Sequence, residues 1–504
     1  MEERNRDPQR HGNGSAHAAR LLLGAVFALG ASSVATRVHA QPACDDNDWP
    51  MYNHDAAGTR YNASERTLRA SNVGGLHVLW QYPTPAPVSG TPVVADSVIY
   101  AGDMAGFFYA LRSDGSLLWS QQLQGSVTAS ALVTDKIIVV GDISGNLYGL
   151  KRATGAVAWS MRPDSHPQAA IWGSPTLVDN HVAVGVASNE ESAAGDPNYP
   201  CCSSRGSLVM LEPHSGTIIW QTYTVTDAER AAGASGSSIW STPTYDAKND
   251  MIYVTTGNNF TQPTNGTSDA FMAFNAHNGK IRWVNQRFPN DEWNFRFPYS
   301  PDQHPDADFG DSAQVYMLPN GRKVVGAGQK SGFYHVLDAK TGDLIQQYQF
   351  EVGGTLGGLF ADSAVANGVV YANGVNWPAP GSGLPVAGDL FAFSGDASTL
   401  LWRFTSQFPS PYGTIGSPDL GGVAVANGVV YFTSWGFPSV GVPGNLFARD
   451  ASTGAPLAQI SLGTQSSTSG PSVSHGRVYV GTGDAIAAGF GYGVGPGSIT
   501  AMGL

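Results

Sequence analysis

Seven segments of this chain repeat one pattern: two or three apolar residues, a polar turn carrying Gly, Ser or Thr, then a strand that usually ends in Trp. The copies are Tyr109–Trp119 (YALRSDGSLLW), Tyr148–Trp159, Val209–Trp220, Met272–Trp283, His335–Gln346, Phe391–Trp402 and Phe447–Ala458. Each follows an apolar run such as GTPVVADSVIYAG or GVVYFTSW. Short strands recurring at a basic spacing of about 40 residues describe the four-stranded blade of a β-propeller. The last unit, Gly470–Asp484 followed by Gly497–Leu504, stops before its turn and Trp strand, and the missing strand stands upstream in Leu76–Pro83 (LHVLWQYP). Pairing of these two pieces makes eight blades and leaves no open sheet edge. The predicted fold is therefore an all-β, eight-bladed β-propeller over residues 76–504, preceded by a lead-in segment over 41–75. The repeated tryptophans are expected to lie at one common depth as core packing between neighbouring sheets.

A charged fraction of 13% with 62 glycines in 504 residues suits a loop-rich all-β chain and argues against coiled coil or disorder. The net charge of −12 with no basic run argues against a nucleic-acid partner. Residues 1–40 read as a secretory signal peptide: Arg4, Arg6, Arg10 and Arg20 lead into the apolar stretch Ala19–Ala35, and Val38-His39-Ala40 forms a small-x-small cleavage site. That stretch is too short for a membrane span, so stable membrane insertion is not expected. Nor is a lipid anchor, since Cys44 lacks a lipobox-like lead-in. The expected location is the periplasm or the exterior, where disulfides persist. The cysteines are Cys44, Cys201 and Cys202, with no Cys-x-x-Cys-His for covalent haem. Adjacent Cys201 and Cys202 can bridge each other in a strained ring, the alternative being free or separately paired thiols.

Four connections are long: 188–204, 258–267, 288–308 and 435–443. Each follows or leads into an inner strand, so they are expected to gather at one mouth of the central channel, where function concentrates. They carry Glu190, Glu191, Asn258, Asn259, Asp306 and Asp308. Carboxylate and amide oxygens suit Ca2+, whereas the scarcity of His disfavours zinc.

The opening WPMYNHDAAGTRYN (Trp49–Asn62), together with NYPCCSSRG, the TTGNN turn and DADFGDSAQ, resembles the quinoprotein alcohol dehydrogenases. These are eight-bladed propellers that hold pyrroloquinoline quinone (PQQ) and Ca2+. The resemblance runs from about Trp49 to Leu504 and is greatest to the polyvinyl-alcohol dehydrogenase branch. It implies metal ligands at Glu190 (chosen over Glu191 by its distance from Pro175), at Asn258 in Gly257-Asn258 and at Asp308. It implies Trp240 as the flat floor under the quinone and Lys330 beside its carbonyls, with Cys201 and Cys202 near it. The family's Trp-Asp base position reads Asn294 here, and counting back from VVGAGQKSG through QVYML places the catalytic base at Asp308, with Asp306 the rival. The resemblance further implies an alcohol substrate, secondary or polymeric, and an external electron acceptor such as a c-type cytochrome. The competing reading is a non-catalytic propeller scaffold like the outer-membrane assembly factors, which share the Trp-strand repeat but need none of these residues.

Overall fold

Each repeat supplies the strands of one twisted antiparallel sheet, and the apolar run ahead of it supplies the inner two. The computed structural model describes residues 45–297, 304–359, 361–376, 387–410, 413–417, 419–436, 442–463, 466–485 and 495–504. The leader 1–40, Cys44 and part of the 435–443 connection lie outside these. Among the described residues there are eight blades, whose innermost strands are Val93–Ala95, Leu132–Val133, Thr176–Val178, Thr244–Asp246, Gln314–Met317, Ala364–Ala366, Ala424–Ala426 and Ser472–Ser474. We number them blades 1 to 8 in that order. The ring closes as the truncated repeat requires: His77–Thr84 pairs antiparallel with Gly497–Gly503, Trp80 opposite Ala501. The second strand of a blade is buried on both faces, as in Ile137–Gly141, while the outermost, as in Leu117–Gln122, is largely exposed. Apolar clusters between adjacent sheets form the core.

The tryptophans do share a depth, but they are half-buried clamps rather than core. The indole N–H groups of Trp80, Trp119, Trp159, Trp220, Trp283 and Trp402 each donate to a backbone carbonyl in the turn of the next blade, at 2.8–3.2 Å. The turn glycine lies flat on the same ring. A Cβ on Gly155 would stand 2.4 Å from Trp119, and its φ of +73° already excludes most side chains. The Gly in the polar turn and the Trp at the end of the preceding repeat are thus two halves of one inter-blade contact. Where the repeat ends in Gln346 instead, the Tyr316 hydroxyl donates to Gly395 O across the gap between blades 5 and 6.

The lead-in segment crosses the end of the channel. Trp49 exchanges both backbone bonds with Val94, and the Pro50, Ala56, Ala57, Thr59 and Arg60 carbonyls accept from Val133, Tyr245, Val315, Val365 and Val425. Asn62 reaches Val473 O through its side chain. One stretch of fourteen residues, Trp49–Asn62, thereby ties blades 1, 2 and 4 to 8 together. Fully buried Arg60 anchors it, donating to the Val423, Tyr52 and Pro471 carbonyls at 2.5, 2.7 and 3.2 Å. Where the innermost strands begin, hydroxyls step from blade to blade: Ser174 Oγ accepts from Ser130 N, Thr242 Oγ1 from Ser174 N and Ser312 Oγ from Thr242 N. Asp362 completes the series by accepting from Ser312 N. These short hydroxyl side chains cap amides of the neighbouring blade at the sheet start.

Candidate active site

The connections entering and leaving the inner strands bring together carboxylates 115 residues apart in sequence, from Glu191 to Asp306. A short helix, Glu190–Ala193, leaves blade 3, and Gly257-Asn258 follows the inner strand Met251–Thr255 of blade 4. Asp306 and Asp308 lead into blade 5, and Lys330 follows the strand Lys323–Gly328. Glu191, Asp306 and Asp308 place ligand oxygens within 4.8 Å of one another. Lys330 Nζ donates to Asp306 Oδ1 at 2.8 Å and Asp308 Oδ2 at 3.0 Å, and lies 5.6 Å from the centre of the Trp240 ring. The other oxygen of Asp308 accepts from Asn258 N at 2.5 Å. Gly257 is required here, because a Cβ would stand 2.8 Å from Asp308 Oδ1 and 3.1 Å from Trp240 Nε1. Against Trp240 lies a cavity of about 270 Å3 on the channel, lined also by Tyr52, Trp172, Thr128, Ser174 and Asp362.

The electrostatics are those of a site short of positive charge. Burial would strip Lys330 of its proton, but Asp306, Asp308 and Glu191 hold its pKa well above the ordinary lysine range. Burial, joined by the charge of Asp308, pushes Glu191 well above the usual carboxylate range. Asp306 is pushed up to about 7, by burial against the opposing pull of Lys330. Behind them Asp291 is pushed up to about 6, and Asp269 is pushed well above the usual carboxylate range, both chiefly by burial. Neither was anticipated from the sequence; an Asp ahead of a strand and one in a polar loop carry no signal of their own. Fully ionised, the three carboxylates would exceed the one ammonium by two negative charges, the complement of a divalent cation; without one, burial and mutual repulsion favour the protonated forms of Glu191 and Asp306.

Trp240, Lys330, Asn258 and Asp308 therefore converge. Asn258 contributes its backbone N–H to Asp308, while its side-chain amide donates to Asn259 O and Trp293 O. Glu191, and not the expected Glu190, lies with Asp306 and Asp308. Glu190 turns the other way, accepting from the Tyr199 hydroxyl at 2.8 Å and from Ser203 N and Ser204 N at 2.8 and 2.6 Å. Burial alone would raise its pKa, but the Ser204, Ser203 and Tyr199 bonds outweigh it and hold Glu190 below the usual range. Asn294 also points elsewhere, donating to Phe260 O and accepting from Arg296 N. Asp306 joins Asp308 at the cluster. Cys201 and Cys202 are bonded to each other, half-buried, across a cis peptide, on the loop that Glu190 holds.

A propeller of this blade number, with an acidic cluster, a buried lysine and an indole floor at one channel mouth, defines a class. In sequence the chain is similar to alcohol dehydrogenases of the PQQ quinoprotein family, and it shares their eight-bladed propeller fold. It is similar to the polyvinylalcohol dehydrogenase of a Pseudomonas species, 30% identical over 58% of this chain and 50% of that protein. It is similar also to that of a Sphingopyxis species, 28% identical over 66% and 56% respectively. The chain thus spans about half the length of the curated relatives it matches. A family profile described as outer membrane protein assembly factor BamB matches residues 65–292. Among solved structures, the quinohemoprotein alcohol dehydrogenase of Comamonas testosteroni superposes with a TM-score of 0.70 at 21% identity, covering 91% of this chain and 80% of that one. A europium-containing methanol dehydrogenase superposes at 0.72 and 18%, covering 91% and 98%. At those identities the solved structures speak to the fold alone.

Proposed function

We propose that this chain is an exported quinoprotein dehydrogenase that oxidises alcohol groups, secondary alcohols of a polymer such as polyvinyl alcohol among them, using PQQ and Ca2+. Electrons would pass to an external acceptor, a c-type cytochrome by analogy. The observation that carries the reading is the Glu191, Asp306 and Asp308 cluster held against Lys330 over the Trp240 ring. The residues fit such a load. Glu191 Oε1, Asp306 Oδ2, Trp240 Nε1 and Ser238 Oγ are buried and have no partner in the protein, and such atoms ask for a ligand.

Glu191, Asp306, Asp308 and Asn258 would hold the cation, while Trp240 and Lys330 would hold the planar cofactor. When bound, the pair supplies hydride acceptance and Lewis acidity. The chain's own contribution is proton handling and placement. Asp308 offers the carboxylate that takes the alcohol hydroxyl proton, steadied by Asn258 N at one oxygen and Lys330 at the other. Lys330, kept charged by its carboxylates, stabilises negative charge growing above Trp240. The indole gives a flat apolar surface whose N–H needs a partner.

The test is reconstitution of the purified mature protein with PQQ and Ca2+, followed by quinone absorbance and dye reduction across a panel of primary, secondary and polymeric alcohols. Retained quinone and alcohol-dependent dye reduction are expected. A folded protein that retains no quinone and reduces no dye would overturn the reading. It would favour the scaffold alternative, for which the BamB-described match over 65–292 is the supporting observation.

A further inference from the structure

We propose that Glu190 is a positioning residue for the Cys201–Cys202 bridge: its buried carboxylate pins the loop that carries the bridge to the same helical turn that presents Glu191 to the acidic cluster. The two glutamates are neighbours and serve opposite sides of that turn. Glu191 points to Asp306 and Asp308. Glu190, 1% exposed, gathers three donors from the loop beyond it, the Tyr199 hydroxyl and the amides of Ser203 and Ser204. These donors flank the bridge on both sides, two residues before Cys201 and one and two after Cys202. The remaining ties to the loop come from residues farther away in sequence, and His166 Nε2 also lies 3.6 Å from Glu190 Oε1. His166 Nε2 lies 3.1 Å from Ser203 Oγ, Arg230 donates to Ser203 O and Arg296 donates to Tyr199 O. At its far end the loop meets the strand leading to Trp240, through Gly236 N donating to Ser204 O at 3.0 Å.

A carboxylate accepting from two consecutive amides fixes a backbone more tightly than a neutral group can, because each bond is charge-assisted. A glutamine in its place can keep its carbonyl oxygen on the two amides, but those bonds lose their charge assistance, and its NH2 replaces the oxygen that accepts from the Tyr199 hydroxyl. The loop would then be held less tightly on both sides of the bridge and would open to reductant more often. The hold of Glu190 on the bridge is independent of any quinone chemistry.

The experiment uses the full mature chain and three variants, Glu190→Gln, Glu191→Gln and Tyr199→Phe, with Glu65→Gln as control. Glu65 is a buried carboxylate that likewise accepts backbone amides, from Thr67, Leu68 and Gly476, in the lead-in segment. Two quantities are read: the rate at which a phosphine reductant opens the bridge under native conditions, by thiol labelling and mass, and Ca2+ affinity by calorimetry. Glu190→Gln should open the bridge at least tenfold faster with Ca2+ affinity changed less than threefold. Glu191→Gln should do the reverse, and Tyr199→Phe should speed opening by a smaller factor. Glu65→Gln should leave the opening rate unchanged even where it lowers the melting temperature. An unchanged opening rate in Glu190→Gln would overturn the proposal, as would Glu65→Gln opening the bridge equally fast. If Glu190→Gln does not fold, an unchanged rate in Tyr199→Phe would overturn it.

Discussion

Replacing Asp308 by Asn separates the proton acceptor from the scaffold that holds it. The amide oxygen can still accept from Asn258 N, so the 2.5 Å bond has a substitute. The bond from Lys330 at 3.0 Å does not, because the new NH2 faces an ammonium. Losing a hydrogen bond to a charged group costs about 1.5–3 kcal/mol. Lys330 retains Asp306 at 2.8 Å, and removing one of three crowded carboxylates relieves repulsion, so the net change in stability should be small. Activity should respond differently. A general base contributes about 10²–10⁴-fold, so kcat in the reconstituted, dye-linked alcohol assay should fall by at least about 10²-fold. Quinone retention should survive, since the Trp240 floor and Lys330 remain. If Asp308→Asn keeps kcat within about threefold while Asp306→Asn abolishes turnover, the assignment of the base to Asp308 fails and passes to Asp306.

Three other outcomes are expected. Gly155→Ala should destabilise more than Trp119→Phe: the alanine meets the indole at 2.4 Å with φ +73°, on the order of 2–4 kcal/mol, whereas the phenylalanine loses one 3.1 Å hydrogen bond and some area, about 1–2 kcal/mol. Denaturant midpoints would order them, and equal costs would undo the clamp argument. Arg60→Leu strands three carbonyl acceptors inside the ring and should cost on the order of 3–5 kcal/mol; a melting temperature unchanged from the parent would show that the lead-in segment does not hold the blades. The protein without added metal should lose stability as pH rises from about 4 to about 9. Asp311, pushed up to about 8 by burial and the charge of Asp362, and Glu351, pushed up to about 9 by burial and its bond to Asp389, keep protons that the unfolded chain has released. Melting should thus be lower at pH 8.5 than at pH 5.5, and Asp311→Asn should flatten the difference; a higher melting point at pH 8.5 contradicts the assignment.

The blade count, the closure between Leu76–Pro83 and the last strand, and the gathering of loops with acidic and amide residues were legible in the sequence. A repeat is a local pattern read directly from residue order, and a truncated last copy has only one complement. Lys330 and Asp308 were singled out through the resemblance of GQKSGFYHVLD and DADFGDSAQ to family motifs, and the structure brings the two side chains together. The choice between Glu190 and Glu191 was not. Both are carboxylates on one helical turn, and what separates them is where the amides of Ser203 and Ser204 lie after the loop has folded back. The tryptophans were legible as a set but not as clamps, since their partners are turn carbonyls 33 to 56 residues away in neighbouring blades. Nor does the stretch from Trp49 to Asn62 carry strand periodicity that would announce its course across the ring. Residue order determined which segments become sheets and which loops carry oxygen ligands. Only the tertiary structure decided which carboxylate faces which neighbour, because burial and the direction of backbone N–H groups belong to the assembled ring and not to any one repeat.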